Sequence, residues 1–300
     1  MKASGVDACV VSVGNELLFG QTVDTNSAWM GRALATRGIP VLRRYVVSDT
    51  PAEIGAAVAE AIAVADLVIV SGGLGPTEDD VTREVVAELL GAPLEVDEVL
   101  LGALRERFRA RGYEQMPASN VSQAEVPRGA QVLANPHGTA PGLLMRGDSA
   151  VVVLLPGVPR ELRGIFEGAL GDVLEDTFAG RAVPVWHRMV HTTGIAESRL
   201  AELVQEALDR EPSVGGEDGN VSVAYLPDLR GVDLRITARS VEEEQATARL
   251  QRVVERIVSV LGPWTFAARS GDIVEAVSGR LRARGLKLAT AESCTAGLIA

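Results

Sequence analysis

Runs of apolar residues alternate with amphipathic stretches through the first half of the chain. Four runs are continuous rather than alternating, which is typical of strands buried on both faces. These predicted strands are Ala8–Val13, Val41–Val47, Leu67–Ser71 and Val151–Leu155. Helical patterns occupy the intervals at about residues 25–37, 51–64, 77–90 and 95–112. The repeated strand–helix–strand order predicts an α/β fold with a mostly parallel sheet and helices on both faces. Gly142–Met145 and Val151–Leu155 flank a turn and predict a hairpin.

The pattern changes near residue 172. It predicts, in order, a strand at Val185–Thr192, a helix at Glu197–Leu208, strands at Val221–Leu226 and Val232–Ala238, and a helix at Val241–Leu261. This β-α-β-β-α order predicts a small α+β domain and resembles a KH-like module. We therefore place a first domain at residues 1–171 and a second at residues 172–265.

Residues 266–300 predict a linker helix followed by the truncated start of a third α/β domain. The helix is expected at Asp272–Arg284, with Ser270 or Gly271 as its cap, and a strand at Leu286–Thr290. The chain then stops inside an apolar stretch that has no predicted partner. We expect a truncated protein or a fragment, and a natural frayed C-terminus is the alternative.

The bulk composition narrows the class of protein. The chain has 300 residues, 47% hydrophobic and 23% charged, with a formal net charge of −11, so no nucleic-acid partner is expected. Its two cysteines lie far apart, which is typical of a reducing cytoplasm. No signal peptide and no apolar run of the roughly 18 residues needed to cross a membrane is present, so we predict a cytoplasmic protein without membrane contact.

The strongest local motif is the segment from Ser71 to Thr82, SGGLGPTEDDVT, which follows a predicted strand and opens a predicted helix. Its glycines allow close approach of a ligand to the backbone, and a helix start offers free N–H groups to an anion. Thr77 and Asp80 also have the spacing of a capping box. The acids at residues 78–80 are therefore either helix-stabilising or, for at least one of them, a Mg²⁺ ligand or general base.

Three further loops carry glycine, proline and polar residues at predicted strand ends. GNELLFG at residues 14–20 is followed by DTNS at residues 24–27, where Asp24, Asn26 or Ser27 can cap the next helix. NPHGTAPG occupies residues 135–142, and LPGVPREL occupies residues 155–162 with Pro159 suited to a first helical position. Ligands of open α/β sheets bind at the carboxyl ends of strands, so we expect these loops to share one site.

The four motifs, in this order and spacing, resemble the CinA (competence/damage-inducible protein A) family along the whole chain. The first domain is also similar to the molybdopterin-binding fold of MogA, MoaB, MoeA and gephyrin. The resemblance implies that Asp80 and Asp49 are catalytic, with Asp79 beside them, and that these acids hold Mg²⁺ or another divalent cation. It implies a metal-dependent pyrophosphatase that hydrolyses ADP-ribose or a related nucleotide diphosphate.

The nucleotide would be held mainly by main-chain N–H groups of residues 72–75 and 138–140, with Glu16 and Asn26 against its ribose or base. The full set of substrate-binding residues expected on this basis is Gly14, Glu16, Asp24, Asn26, Ser27, Gly72, Gly73, Gly75, Thr77, Thr82, Asn135, Gly138, Thr139, Ala140, Pro156, Gly157, Pro159 and Glu161.

The last segment, LATAESCTAGLIA, resembles the start of the family's C-terminal amidase domain, which deamidates nicotinamide mononucleotide. Ser293 matches the proposed nucleophile, and Ala296 stands where the family usually has glycine. The groups that would activate Ser293 belong to the rest of that domain, so the chain as given is not expected to be an active amidase. A non-catalytic nucleotide- or molybdopterin-binding module is a further alternative.

The resemblance also bears on the second domain and on assembly. The KH-like segment lacks a basic Gly-x-x-Gly clamp, so we expect a spacer or dimerisation module rather than an RNA-binding one. A homodimer is the expectation for the family.

Overall fold

A computed structural model describes residues 5–209, 221–240, 242–268 and 271–298. The chain divides into two compact units, Met1–Pro184 and Val185–Ala300. The strands of the first unit are β1 (Ala8–Val13), β2 (Val41–Val47), β3 (Leu67–Ser71), β4 (Leu94–Val96), β5 (Glu125–Pro127), β6 (Gln131–Leu133), β7 (Gly142–Arg146) and β8 (Val151–Leu155). Its helices are α1 (Asn15–Leu18), α2 (Thr25–Thr36), α3 (Pro51–Val64), α4 (Thr82–Leu89), α5 (Glu98–Ala110), α6 (Pro159–Ile165) and α7 (Gly171–Thr177), with a 3₁₀ segment at Ala118–Ala124 and a π-helical turn at Phe166–Leu170.

The central sheet of the first unit has six strands in the order β2-β1-β3-β8-β7-β6. Neighbours from β2 to β8 run parallel, whereas β7 pairs antiparallel with both β8 and β6. The predicted mostly parallel sheet and the hairpin are therefore confirmed. The prediction that Val41–Val47 is buried on both faces is wrong, because β2 lies at the sheet edge and leaves Leu42 and Val46 exposed.

Alternate residues of the strands enter two hydrophobic cores, one on each face of the sheet. Ala8 and Val10 of β1 face a core that includes residues of α2, α6 and α7. Cys9 and Val11 face the opposite core, which includes residues of α3 and α4. Both faces of the sheet are thus covered by helices, as the strand–helix–strand pattern predicted.

Parallel register brings the ends of four strands to one edge of the sheet. Val13 of β1 lies opposite Val47 of β2, and Ser12 lies opposite Ser71 of β3. Ser71 in turn lies opposite Leu155 of β8. The chain leaves all four strands within about one residue of the same level, so the loops that follow them begin side by side.

Asp24 determines where α2 begins. Its carboxylate accepts hydrogen bonds from the N–H of Ser27 at 2.9 Å and from the hydroxyl of Ser12 at 2.7 Å. Burial alone would raise the pKa of the Asp24 carboxyl, but the hydrogen bonds from Ser27 and Ser12 and the nearby charge of Arg44 outweigh burial and lower it from 3.8. The charged cap therefore joins the start of α2 to the end of β1.

The helix predicted at residues 77–90 begins later, at Thr82, so the capping-box interpretation of Thr77 and Asp80 is wrong. The carboxylate of Asp80 accepts a hydrogen bond from the N–H of Thr77 at 3.0 Å and another from its hydroxyl, but both residues lie in a turn before α4. The N–H of Thr82 donates to the carbonyl of Gly73 at 3.2 Å. The first amide of the helix is therefore engaged by the glycine loop instead of being offered to an anion.

Arg83, on α4, is a buried cation behind the glycine loop. Its side chain is 1% exposed and donates to the carbonyl of Ser122 at 2.7 Å and to that of Leu74 at 3.2 Å. Glu84 lies 3.6 Å from the guanidinium, and burial lowers the pKa of Arg83 below its ordinary value. Arg83 thus connects the glycine loop to the 3₁₀ segment at Ala118–Ala124.

The second unit contains β9 (Val185–Thr192), α8 (Glu197–Asp209), β10 (Val221–Asp228), β11 (Gly231–Arg239), α9 (Glu243–Leu261), β12 (Thr265–Phe266) and α10 (Ile273–Ala283), with a 3₁₀ turn at Gly262–Trp264. Its antiparallel sheet has the order β10-β11-β9-β12. Helices α8 and α9 supply Leu200, Val204 and Leu250 to one core with this sheet. The β-α-β-β-α prediction is confirmed, although Val241 lies outside the described residues.

The structure divides the chain at different positions from those drawn on the sequence. Leu174 and Phe178 pack into a core of the first unit, so that unit extends beyond residue 171 to Pro184. A boundary after residue 265 would cut β12, which pairs with β9.

Two predictions for the last segment are wrong. The stretch Leu286–Thr290 forms no strand, and Leu286 and Leu288 are exposed, because a strand needs a partner edge and this segment pairs with none of the described strands. Asp272, not Gly271, caps α10 by accepting a hydrogen bond from the N–H of Val274 at 3.0 Å. Ser270, the other predicted cap, lies outside the described residues. None of the helices described is both long and apolar enough to span a bilayer.

Replacing Arg83 should destabilise the first unit strongly. Arg83→Met leaves the carbonyls of Leu74 and Ser122 without their donor, and we expect a loss of about 2–4 kcal/mol in the free energy of unfolding. Chemical denaturation measures this change. Arg105→Met, on the exposed side of α5, is the matched control and should stay within about 0.5 kcal/mol of the native chain. Equal stability of the two variants would contradict the role assigned to Arg83.

The cap of α2 should make stability depend on pH. Asp24→Ala should cost about 0.5–2 kcal/mol at neutral pH, because it removes an N-cap acceptor. Since the pKa of Asp24 is lowered in the folded state, the ionised cap contributes fully above the unfolded pKa of about 3.9 and its contribution is lost as the pH falls through the folded pKa. Urea denaturation between pH 7 and pH 3 should show the gap between native and variant chains narrowing at the acid end. A constant gap would refute this origin.

Candidate functional site

Loops of the first unit surround a cavity of about 530 Å³, here called the central cavity, at the edge where the parallel strands end. Loops after β1, β2, β3 and β8 and the loop before β7 all contribute to its wall. The predicted site residues that line it are Gly14, Glu16, Asp49, Gly72, Gly73, Gly75, Asp79, Asp80, Thr139, Ala140, Pro156, Gly157 and Glu161. The convergence expected of the four sequence motifs is therefore present in the structure.

Two glycines of the loop after β3 are required by close contacts. Gly72 has φ of +108°, and a Cβ there would collide with the carbonyl oxygen of Val13. Gly73 has φ of +66°, and a Cβ there would collide with the hydroxyl of Thr82. The strand ends and the start of α4 can approach this closely only because neither residue has a side chain.

Several main-chain amides of the cavity wall are free to bind an anion. No acceptor for the N–H groups of Gly73, Leu74, Gly75, Thr139 or Ala140 is found among the residues that the structure describes. Two amides of the predicted sets, the first residue of each, do have an acceptor. The N–H of residue 72 donates to the carbonyl of residue 155 at 3.0 Å, and the N–H of residue 138 donates to the side chain of residue 135 at 2.8 Å. The predicted amides without an acceptor are therefore those of residues 73–75 and 139–140.

Carboxylates dominate the side chains around these amides. The acids that line the central cavity are Glu16, Asp49, Asp79, Asp80 and Glu161, and none of the described side chains lining it is cationic. The polar groups of this turn, first those of Thr77 and then the main-chain N–H of Asp79 itself, lower the pKa of the Asp79 carboxyl from 3.8, so Asp79 is ionised at neutral pH. An anionic ligand would meet strong repulsion here unless a cation accompanied it.

Whether a divalent cation fits this cavity depends on whether phosphates and water can complete the ligands that the side chains offer. Within the described residues there is no group of three or more His, Cys, Asp and Glu side chains arranged to hold a metal ion by themselves. Mg²⁺, however, is usually bound through one or two carboxylates together with substrate phosphates and water. The donor set around Asp79 and Asp80 therefore suits a cation that arrives with a phosphorylated ligand.

Hydrogen bonds between loops give the cavity wall its shape. The amide of Asn135 donates to the carboxylate of Glu161 at 2.7 Å and to the carbonyl of Ala140 at 2.7 Å. The carboxylate of Asp49 accepts from the N–H of Asn15 at 3.0 Å. Asp49 and Glu161 thus hold neighbouring loops in place while remaining on the cavity wall.

Other predicted binding residues lie beside the central cavity rather than in it. Asp24, Asn26 and Pro159 line a smaller cavity of about 90 Å³ that shares Glu16 and Gly157 with the central one. Asn26 donates to the carbonyl of Gly157 at 2.7 Å, while its own Oδ1 is buried without a partner. Asn26 therefore has one buried acceptor without a partner next to the smaller cavity.

The remaining predicted binding residues have structural contacts instead. Ser27 is buried and donates its N–H to Asp24. Thr82 is fully buried behind Gly73, with no partner for its hydroxyl among the described atoms. Thr77 is hydrogen-bonded to Asp80. Asn135 and Gly138 line a separate side cavity. Sequence shows which loop a residue belongs to but not which way it faces, so the binding roles of these residues stay predictions.

Ser293, the serine that the resemblance assigns as a nucleophile, lies in the second unit. It is exposed in a turn of the second unit that Glu292 closes by accepting hydrogen bonds from Thr295 at 2.8 Å and from the N–H of Gly297 at 3.0 Å. A serine nucleophile requires a neighbouring base. The described part of the chain provides no hydrogen bond to the Ser293 hydroxyl, so its catalytic assignment remains a prediction from resemblance.

Five residues of the central cavity wall are not among the predicted site residues: Val13, Leu74, Pro76, Gln123 and Val158. Gln123, from the 3₁₀ segment, lines the cavity together with Leu74 and Val158. Gln123 is buried and accepts a hydrogen bond from Asn120 at 2.9 Å. Arg83 holds the neighbouring Ser122 carbonyl. A cationic residue directly after a glycine-rich turn was the available signal for Arg83, whereas Gln123 has no recognisable motif.

Two family models match the chain. Residues 9–176 match the probable molybdopterin binding domain, and residues 187–267 match the damage-inducible protein CinA KH domain. The first match contains the whole central cavity. The second covers the antiparallel sheet from β9 onward together with α8 and α9.

Relatives with both parts are similar over nearly the full chain. A putative competence-damage inducible protein of Symbiobacterium thermophilum is 40% identical over 292 residues, which make up 97% of this chain and 67% of that protein. A CinA-like protein of Frankia casuarinae is 39% identical over 296 residues, again 97% of this chain and 67% of the relative. This chain thus spans about two thirds of their length.

A solved structure is similar to more than half of the chain. The crystal structure of the protein CinA from Thermoplasma acidophilum, described as of unknown function, is 38% identical and covers 57% of this chain and 99% of its own, with a TM-score of 0.53. Together with the two family models and the full-length relatives, this shows that the chain belongs to the CinA family, with a molybdopterin-binding-type domain followed by a CinA KH domain.

Proposed function

We propose that the first unit hydrolyses the diphosphate of ADP-ribose or a related nucleotide with the help of a divalent cation. One observation carries the proposal: free main-chain amides and ionisable carboxylates from separate loops line the same cavity. The amides suit phosphate oxygens, whereas the acids require a cation between them and the phosphates. Phosphate-binding amides alone would suit many ligands, but this acidic surrounding favours a metal-assisted reaction.

Asp79 and Asp80 are the residues proposed to hold the cation, which we take to be Mg²⁺. When bound, it would neutralise phosphate charge that the carboxylates otherwise repel. Asp80 lies directly against the glycine loop, since a Cβ on Gly75 would overlap its carboxylate. This contact places Asp80 beside the free amides of residues 73–75, where phosphate would bind.

The chain's own residues would then orient the diphosphate and the attacking water. The amides of residues 73–75 and 139–140 would bind the phosphate oxygens and stabilise the charge that develops on them. Water would attack one phosphorus as the bridging P–O bond breaks, giving AMP and ribose 5-phosphate from ADP-ribose. Asp49 or Asp80 would orient that water and accept its proton.

Incubation of the chain with ADP-ribose and Mg²⁺ should release AMP and ribose 5-phosphate in equal amounts. Chromatography of the products over time measures this. Removal of divalent cations with EDTA should stop the release, and added Mg²⁺ should restore it. A correctly folded native chain that forms no AMP would overturn the proposed reaction.

Single acid-to-amide substitutions should separate catalysis from folding. Asp80→Asn should reduce kcat by at least about 10²-fold, because it removes both a cation ligand and a candidate base. Asp49→Asn should lower kcat less if Asp80 is the base. Asp148→Asn, in the exposed β7–β8 turn, is the matched control and should leave kcat unchanged. Steady-state kinetics at saturating Mg²⁺ would decide between these roles, and unaltered turnover in Asp80→Asn would contradict them.

A binding module without turnover is the second candidate, and the match to a probable molybdopterin binding domain favours it. The absence of a ready-made metal cage among the described side chains agrees with it as well. Calorimetry distinguishes the two. Tight ADP-ribose or pterin binding that persists without Mg²⁺ and in Asp80→Asn, with no product formed, would support binding alone.

A further inference from the structure

A second cavity of about 230 Å³, here called the side cavity, lies between α5 and residues 132–141 of the first unit. Its wall is mainly aliphatic and includes Leu100, Leu104, Val132 and Pro141. Its volume is below the roughly 300–1,000 Å³ of pockets that take a whole small ligand. The side cavity is therefore suited to one part of a ligand whose other part binds elsewhere.

The side cavity adjoins the central cavity through a shared wall. Thr139 lines both cavities. Asn135, on the side-cavity wall, is hydrogen-bonded at 2.7 Å to Glu161, which lines the central cavity. A ligand held by the free amide of Thr139 thus has the side cavity immediately next to it.

The two cavities differ in chemistry. The described residues that line the central cavity include no aromatic or cationic side chain, so that cavity offers a purine ring neither an aromatic ring nor a guanidinium to stack on. The side cavity offers aliphatic faces together with Arg107, which is half-buried and donates to the carbonyl of Asn135 at 3.2 Å. A guanidinium fixed in this way can stack on a planar heterocycle.

We propose that the side cavity binds the planar heterocyclic base of a nucleotide whose diphosphate occupies the central cavity. This subsite rests on the proposed function only in taking the ligand to be a nucleotide. It assigns the apolar part of the binding energy to α5 and the loop at residues 132–141, separate from the acids that would act on the diphosphate.

Filling the side cavity with a large side chain tests the subsite. Ala103 lines it from α5 and is exposed, so Ala103→Trp should occupy the space that the base would take. Ala110→Trp places the same side chain on the same helix at an exposed position outside the cavity lining, and serves as the matched control. Ala134→Trp blocks the cavity from the opposite wall and provides an independent second variant.

Calorimetric titration with inorganic pyrophosphate and with ADP-ribose, the latter as its methylene-bridged analogue that cannot be hydrolysed, both with Mg²⁺, gives the readout. Ala103→Trp and Ala134→Trp should weaken ADP-ribose binding by at least about tenfold and leave pyrophosphate binding within about twofold. Ala110→Trp should change neither. Unfolding curves confirm that each variant is folded.

Two results would overturn the subsite: native-like ADP-ribose affinity in both cavity variants, or a native chain that binds ADP-ribose no more tightly than pyrophosphate. The outcome is separate from that of the proposed reaction. A native chain that binds ADP-ribose through the side cavity but forms no AMP would remove the hydrolase and leave the subsite standing.

Discussion

The hydrogen bonds that pair β1 with β2 and β3, and β3 with β8, all join parallel strands. Parallel pairing in close register makes each of these strands end at the same edge of the sheet. The loops that carry Glu16, Asp49, Asp80 and Glu161 can therefore meet in one cavity although they are far apart in the chain. If one of these strands ran antiparallel, its loop would leave from the opposite edge and the cavity would lose a wall.

At this edge of the sheet, hydrogen bonds between loops hold main-chain amides and carboxylates next to each other. Amides that attract an anion lie beside carboxylates that repel it. No cationic side chain of the described lining neutralises those carboxylates. The nearby buried cation is Arg83, whose donors are directed to the carbonyls of Leu74 and Ser122 rather than to the cavity. The site is thus strongly polarised, and this explains why a cation accompanying the ligand is central to the proposed reaction.

The second unit shows that local sequence preference alone does not form a strand. Its antiparallel sheet and the helices α8 and α9 form a separate core, and the order of elements agrees with the CinA KH match. Beyond α10, apolar residues such as Leu286 and Leu288 stay exposed, because the described strands offer their backbone no partner. Local propensity for a strand does not produce one without a neighbouring edge to pair with.

The sequence by itself determined the strands β1, β3 and β8, the mostly parallel sheet and the loops that carry the candidate site, because continuous apolar runs and glycine-rich turns are local signals. Only the tertiary structure decided which residues of each loop face the cavity. Thr82 is buried behind Gly73, α4 begins after the acids rather than before them, and Gln123 reaches the wall from a segment without a motif. These outcomes depend on Arg83 and on contacts between loops distant in the chain, and no local pattern encodes such contacts.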